Sequence, residues 1–350
     1  MVRFPVKFHL KTLVLPNVTT GCEGDLKDIQ YDFYGTSIAV CDTAGKVQII
    51  DQTQPEEKFH TFPHAHSGVV AGVDWAHPEF GSIVVSAGEE DHTIKFWKNV
   101  EGIWEESFPT GYFGNEMSVY NENFSLLPDD PKLGIYLENE NISCLKFAPK
   151  EYGCCLFVGC ESGAIYTLNF VKGRYDLQEI HSFDGKILTI SFGPSTYSLT
   201  DIEESENDPG LAPIRFAVAV EGNSRIFQVL YKKDEQWISE TIGHHDNAQC
   251  NTVSWGSNIG SHADILASGG DDKNILVWSK DRIDSDWIIR ATINLAEEVS
   301  SVSWNQRGPT SLQATLKDGT TLIFKETMLD NSKYDLMAEI NPEGEIFNSE

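Results

Sequence analysis

A short pattern recurs six times along the chain: an apolar residue, one spacer and an aromatic, each closing a run of alternating hydrophobics. The copies are Tyr31-Asp32-Phe33, Val73-Asp74-Trp75, Leu145-Lys146-Phe147, Ile190-Ser191-Phe192, Val253-Ser254-Trp255 and Val302-Ser303-Trp304. Each leads into a second apolar strand, a tight polar turn, and a third strand ending at Ile49, Trp97, Leu168, Phe227, Trp278 or Phe324. Period-two alternation is a strand signal, and many short strands between repeated turns give an all-β chain. Self-similarity at roughly 40–45 residues marks stacked blades of a propeller, each too small to bury its faces alone. A ring of small sheets presents surfaces, so the pattern points to a scaffold rather than a catalyst.

The blades are expected at about 28–62, 69–108, 142–182, 187–242, 250–293 and 299–340, after an extension at 1–27 and before a tail at 341–350. Successive markers are 42, 72, 45, 63 and 49 residues apart. The two long intervals hold insertions at 109–140, rich in Asn, Glu, Asp and Pro, and at 195–213, with Asp201, Glu203, Glu204, Glu206 and Asp208. Both read as solvated loops. Six residues before the end of each third strand stands Thr43, Asp91, Ser162, Glu221, Asp272 or Asp318. Short polar side chains there cap backbone amides of a turn, which checks the register independently.

Charge narrows the partners. With 26 basic against 53 acidic residues the formal charge is −27, and such a surface repels phosphate backbones and anionic lipid heads. Direct nucleic-acid binding is not expected, and a membrane would be reached only through another protein. Seven cysteines, mostly in apolar runs, read as buried hydrophobes of a reducing compartment. Their spacing offers no zinc site, and no cofactor is expected. No apolar stretch reaches the ~20 residues of a membrane span, and Lys7, His9 and Lys11 interrupt any signal-like start.

Blade two reads Val73-Asp74-Trp75-Ala76-His77-Pro78-Glu79-Phe80-Gly81, then Ser82 to Ala87, and closes with Ile94-Lys95-Phe96-Trp97-Lys98. Blade three offers Phe147-Ala148-Pro149-Lys150-Glu151-Tyr152-Gly153, and blade one Tyr31-Asp32-Phe33-Tyr34-Gly35. Together these resemble the small WD-repeat propeller shared by the COPII outer coat and the nuclear pore scaffold. A pore-only propeller of the same Y-shaped complex is similar but matches Ala-His-Pro-x-Phe-Gly less well. The resemblance is specific in blades one to three. Blade four departs most, with Val220-Glu221-Gly222-Asn223-Ser224-Arg225 in place of a Gly-Asp turn.

The resemblance implies an open six-bladed WD-repeat β-propeller, completed by a strand blade from an α-solenoid partner, a coat or nucleoporin subunit, within a larger cage or Y-shaped complex. Unpaired edges of an open ring are covered by β-augmentation. The implied receiving faces are Ile29, Tyr31 and Phe33 in the first blade, and Val302, Trp304 and Phe324 in the last. Residues 3 to 15 alternate weakly through Phe4, Val6, Phe8 and Leu10 and are an alternative filler, although Pro5 favours an edge position.

His66 with Ser86 and Asp91, and His245 with Ser268 and Asp272, imitate a hydrolytic triad. In repeats of this kind such residues form a buried network on which Trp97 or Trp278 packs, and a complete network rigidifies the blade. No G-x-S-x-G elbow is present, so no enzyme is expected. The resemblance implies roles in transport from the endoplasmic reticulum to the Golgi and in nuclear pore assembly, at exit sites, at the nuclear envelope, or both. Family members also join an amino-acid-signalling complex. The alternative is a generic WD-repeat adaptor such as a ubiquitin-ligase substrate receptor. The Asp-x-Arg element that would favour it is missing after Trp97 and Trp278.

Overall fold

The computed structural model describes residues 24–52, 59–106, 135–137, 140–171, 174–198, 210–232, 236–258, 261–305, 311–327, 330–342 and 346–348. The candidate strand at 3–15, most of the insertion 109–140 and the acidic run 201–208 lie outside them. The described residues divide between two compact units, one ending at Ile187 and the other beginning at Leu188.

The first unit holds three antiparallel sheets. Blade one is β1 (Leu26–Tyr31), β2 (Ser37–Asp42), β3 (Val47–Asp51) and β4 (Phe59–Phe62), paired in that order. Blade two is β5 (Val70–Trp75), β6 (Ile83–Gly88), β7 (Thr93–Val100) and β8 (Ile103–Glu106), with the two-residue β9 (Ile135–Tyr136) also on β7. Blade three is β10 (Ile142–Phe147), β11 (Cys155–Cys160), β12 (Ala164–Val171) and β13 (Arg174–Ser182).

The second unit repeats the plan. Blade four is β14 (Ile187–Phe192), β15 (Arg215–Val220), β16 (Arg225–Lys232) and β17 (Gln236–His244). Blade five is β18 (Cys250–Trp255), β19 (Asp264–Gly270), β20 (Asn274–Lys280) and β21 (Ile288–Asn294). Blade six is β22 (Val299–Trp304), β23 (Ser311–Leu316), β24 (Thr321–Thr327), β25 (Asp330–Ile340) and an outermost β26 (Ile346–Asn348). The chain is an all-β, six-bladed β-propeller.

The second strands of blades two and five are largely apolar on both faces because both are covered. In β6, Val84 packs with Ala39, Val47 and Ile49 of blade one, while Val85 and Ala87 pack with Leu156 and Val158 of blade three. In β19, Leu266 joins blade four while Ile265 and Ala267 join blade six. Each such Ile or Leu contributes about 1.5–3 kcal/mol on burial. Outer strands have water on one side and alternate instead, as β21 does.

A shared irregularity fixes the register. Five first strands carry a β-bulge at the same place: Leu26/Asp28, Val70/Gly72, Ile142/Cys144, Cys250/Thr252 and Val299/Ser301. Counted from it, Tyr31 opposite Ile38 corresponds to Trp75 opposite Val84 and Trp304 opposite Leu312. The marker of blade one is therefore Ile29-Gln30-Tyr31, two residues earlier than the Tyr31-Asp32-Phe33 of the sequence pattern. Phe33 is in the turn that follows, where Asp32 accepts from the Thr36 and Ser37 amides.

Three further local readings change. The insertion at 109–140 is not loop to its end, because Ile135 and Leu137 enter the core between blades two and three and β9 pairs with Thr93 and Ile94. Residues 341–350 carry β26, which pairs with 338–340 of β25. In blade four the turn acceptor is Asn223, which takes the Arg225 amide. Glu221 stands two residues too early for that bond.

Candidate functional site

Two side-chain chains are built alike in blades two and five. His66 sits in the loop before β5, Ser86 on β6, Asp91 in the β6–β7 turn and Trp97 on β7. The His66 Nδ1–H donates to Asp91 Oδ2 at 2.9 Å, and Nε2 lies 2.8 Å from Ser86 Oγ. The Trp97 indole N–H donates to the same Oγ at 2.9 Å, so the serine hydroxyl points its own proton at the imidazole. The second copy runs Trp278 to Ser268 at 2.9 Å, Ser268 to His245 Nε2 at 2.9 Å, and His245 Nδ1 to Asp272 at 2.9 Å. The structure thus brings all eight residues together in two sets of four.

Ser-to-His-to-Asp connectivity is that of a hydrolase, but a nucleophile has to meet its substrate. Ser86 and Ser268 are both fully buried, and each is capped by an indole. The arrangement ties a loop and the second and third strands of one blade. Glycine is required beside it: a Cβ on Gly88 would run into Asp91 and His66, and one on Gly270 into His245. Burial raises Asp91, yet the hydrogen bond and charge of His66 outweigh it and hold the carboxyl well below 3.8. Burial holds His245 below 6.5 despite Asp272.

A second set of contacts was not legible as a site. The amide of the first strand of one blade is capped by a side chain from the first strand of the blade before. Asp28 Oδ2 accepts from Val73 N at 3.2 Å, and Asp74 Oδ2 from Phe147 N at 2.7 Å. In the second unit hydroxyls do the same work. Thr189 and Ser191 accept from Val253 N and Trp255 N at 3.2 and 2.8 Å, and Thr252 and Ser254 from Val302 N and Trp304 N at 3.3 and 3.2 Å. Three of the pattern's spacer residues, Asp74, Ser191 and Ser254, are among these caps.

Charge reinforces the junctions. Lys146 Nζ bridges Asp74 Oδ1 at 2.8 Å and Gln30 Oε1 at 3.0 Å, joining three blades. Burial opposes the ammonium, but Asp74 keeps Lys146 above its ordinary value. Between blades four and five, the fully buried Arg215 pairs with Asp264 at 2.9 Å, and Asn258 donates to the same carboxylate at 3.0 Å.

The implied docking residues separate. Ile29 packs with Ile38, Val40 and Ile50, on the face of blade one turned away from blade two. Tyr31 is 39 % exposed and Phe33 60 %. In blade six the expectation is corrected: Val302, Trp304 and Phe324 are buried against Ile265, Ala267, Ile275 and Val277 of blade five. Strand alternation puts a different set, Ser301, Ser303, Gln313 and Lys325, on the far face, and all four are exposed.

Among the described residues no group of three or more His, Cys, Asp or Glu is placed to hold a metal ion. Burial pushes the thiols of Cys144, Cys154 and Cys250 up to about 12, leaving them protonated packing groups rather than nucleophiles.

Comparison with known proteins agrees with this geometry. The family described as WD domain, G-beta repeat matches residues 56–98 and 234–279, the two stretches that contain the complete His–Ser–Asp–Trp chains. The chain is 23 % identical over 316 residues to the Protein SEC13 homolog of Drosophila melanogaster, covering 89 % of this chain and 81 % of that one. It is 26 % identical over 328 residues to the Protein transport protein SEC13 of Cryptococcus neoformans, covering 88 % and 93 %. With the Protein transport protein sec13 of Emericella nidulans it shares 22 % over 313 residues, again 88 % and 93 %. Six blades, the repeat match and similarity along nearly the whole length support a WD-repeat propeller similar to the Sec13 proteins.

Proposed function

We propose that the protein is a non-enzymatic structural subunit of protein-transport machinery, a COPII coat or nuclear pore scaffold component that locks onto an α-solenoid partner. The observation that carries the reading is similarity over 88 % of the chain to proteins named for protein transport. Burial of both triad-like serines supports a role without catalysis. The partner would contact blade one through the exposed rings of Tyr31 and Phe33, and would carry the protein to endoplasmic-reticulum exit sites or the nuclear envelope.

Affinity purification of the full chain followed by mass spectrometry tests the proposal. Recovery of a large coat solenoid supports a role in secretion, and recovery of nucleoporins supports one at the pore. A ubiquitin-ligase scaffold in their place would overturn both.

A further inference from the structure

A turn in blade one and a single helical turn in blade two together present a row of four rings. Between β1 and β2, Asp32 accepts from the Thr36 amide at 2.6 Å, the Ser37 amide at 2.9 Å and the Thr36 hydroxyl at 2.9 Å. These bonds hold the turn in one shape, with Phe33 and Tyr34 at its tip, each 60 % exposed. After β5 the 3₁₀ turn Pro78–Phe80 begins at His77, whose Nδ1 accepts from the Glu79 amide at 3.2 Å. Phe33 stands edge-to-face with Tyr34 at 5.2 Å between ring centres and with His77 at 4.7 Å, and His77 meets Phe80 at 6.5 Å. The row crosses from blade one to blade two, so it is separate from the Ile38, Val40 and Ile50 face of blade one.

Area, charge and order select the occupant. Two rings at that exposure offer roughly 200 Å², against the about 800 Å² that each partner buries in a stable interface between folded proteins. A short segment can therefore use the row, and a whole domain cannot rest on it. Nucleic-acid bases also stack on rings, but a chain of −27 repels their phosphates, as it repels a second copy of itself. With so little area, the segment must lose little freedom on binding. Polyproline II meets that condition, because it is extended before it binds, and aromatic faces are what it docks on. Glu79 is 61 % exposed even with Lys150 at 3.0 Å, and it favours a basic residue in the ligand.

We propose that a proline-rich segment of another protein, carrying a basic residue, binds across Phe33, Tyr34 and His77. Phe33 and Tyr34 are its anchors, and the basic residue reaches Glu79. This deepens the proposed function by giving a chemistry to the segment that meets Phe33, and rests on its premise that a partner engages blade one.

Fluorescence anisotropy on the full chain tests it, with a labelled decapeptide of prolines and leucines ending in two arginines as the probe. Phe33→Ala with Tyr34→Ala should weaken binding roughly tenfold or more, and should leave Tm within about 2 °C of wild type because both rings are exposed. If the double variant melts lower than that, Tyr34→Ala alone is read instead, with a loss of about threefold expected. Glu79→Gln should also weaken binding about threefold. Alanine in place of every proline of the probe should cost as much as losing both rings. No binding by the wild type, an affinity indifferent to the rings, or equal affinity for the alanine probe would each overturn the proposal. Ring-dependent peptide binding by a protein that purifies with no transport subunit would leave this docking intact and overturn the proposed function. Recovery of transport subunits by a protein that ignores the peptide would do the reverse.

Discussion

A serine hydroxyl shared between an indole and an imidazole is a small group with large consequences when buried. Ser268 accepts from Trp278 and serves His245, so Ser268→Ala leaves two polar groups unpaired in a dry site. Each such group costs about 1–3 kcal/mol, and the variant is expected to lose about 2–4 kcal/mol in denaturant titrations. A loss under 0.5 kcal/mol would mean that the chain of bonds is ornamental. Acid should act on the same residues. Because His245 is held below 6.5 when folded, the unfolded chain takes up its proton first, so stability is complete above that pH and declines as pH falls below it. Asp91 is held below 3.8, so its contribution persists above that value and disappears at lower pH. Thermal melts from pH 8 to 3 should therefore fall in two stages, and a flat profile between pH 7 and 5 would contradict the neutral His245.

At the scale of strands, junctions between blades are held by caps and charges as well as by apolar packing. Asp74 accepts from two donors, the Phe147 amide and Lys146, and Lys146 donates to Gln30 Oε1 as well. Asp74→Ala should cost about 1–3 kcal/mol, since it leaves the Phe147 amide without its acceptor, while the partly exposed Lys146 can turn to water. Asp74→Asn, which keeps an acceptor oxygen, should cost less, and equal losses would assign the effect to charge alone. Blades were legible because alternation and turn chemistry are local signals. The caps were not, because Asp74 and Ser254 read as polar spacers until the next blade is placed beside them. Val302, Trp304 and Phe324 were assigned to the wrong face for a related reason. A strand's two faces are equally visible in sequence, but which one meets blade five depends on the bulge, which shifts the register by one. The same blindness moved the marker of blade one from Tyr31 to Phe33: an apolar-x-aromatic triplet occurs twice there, and only pairing with Ile38 selects one.

For the whole molecule, the dominant fact is the excess of carboxylates. The chain carries −27, and two lysines are already shared between two acids: Lys186 between Glu89 and Glu161, Lys317 between Asp271 and Glu298. These pairs are partly exposed, worth at most about 1 kcal/mol each, and salt weakens them. Salt also weakens repulsion among the remaining acids, which acts over distances up to the Debye length, about 30 Å at 0.01 M and about 10 Å at 0.1 M. With 53 acids against 26 bases, repulsive pairs outnumber attractive ones, and the compact state brings them closer than the unfolded chain does. Repulsion should therefore win. Raising sodium chloride from 10 to 200 mM is expected to increase Tm by several degrees at pH 7.5, while a steady decrease would show that the local bridges, not the global charge, govern how this propeller responds to ions.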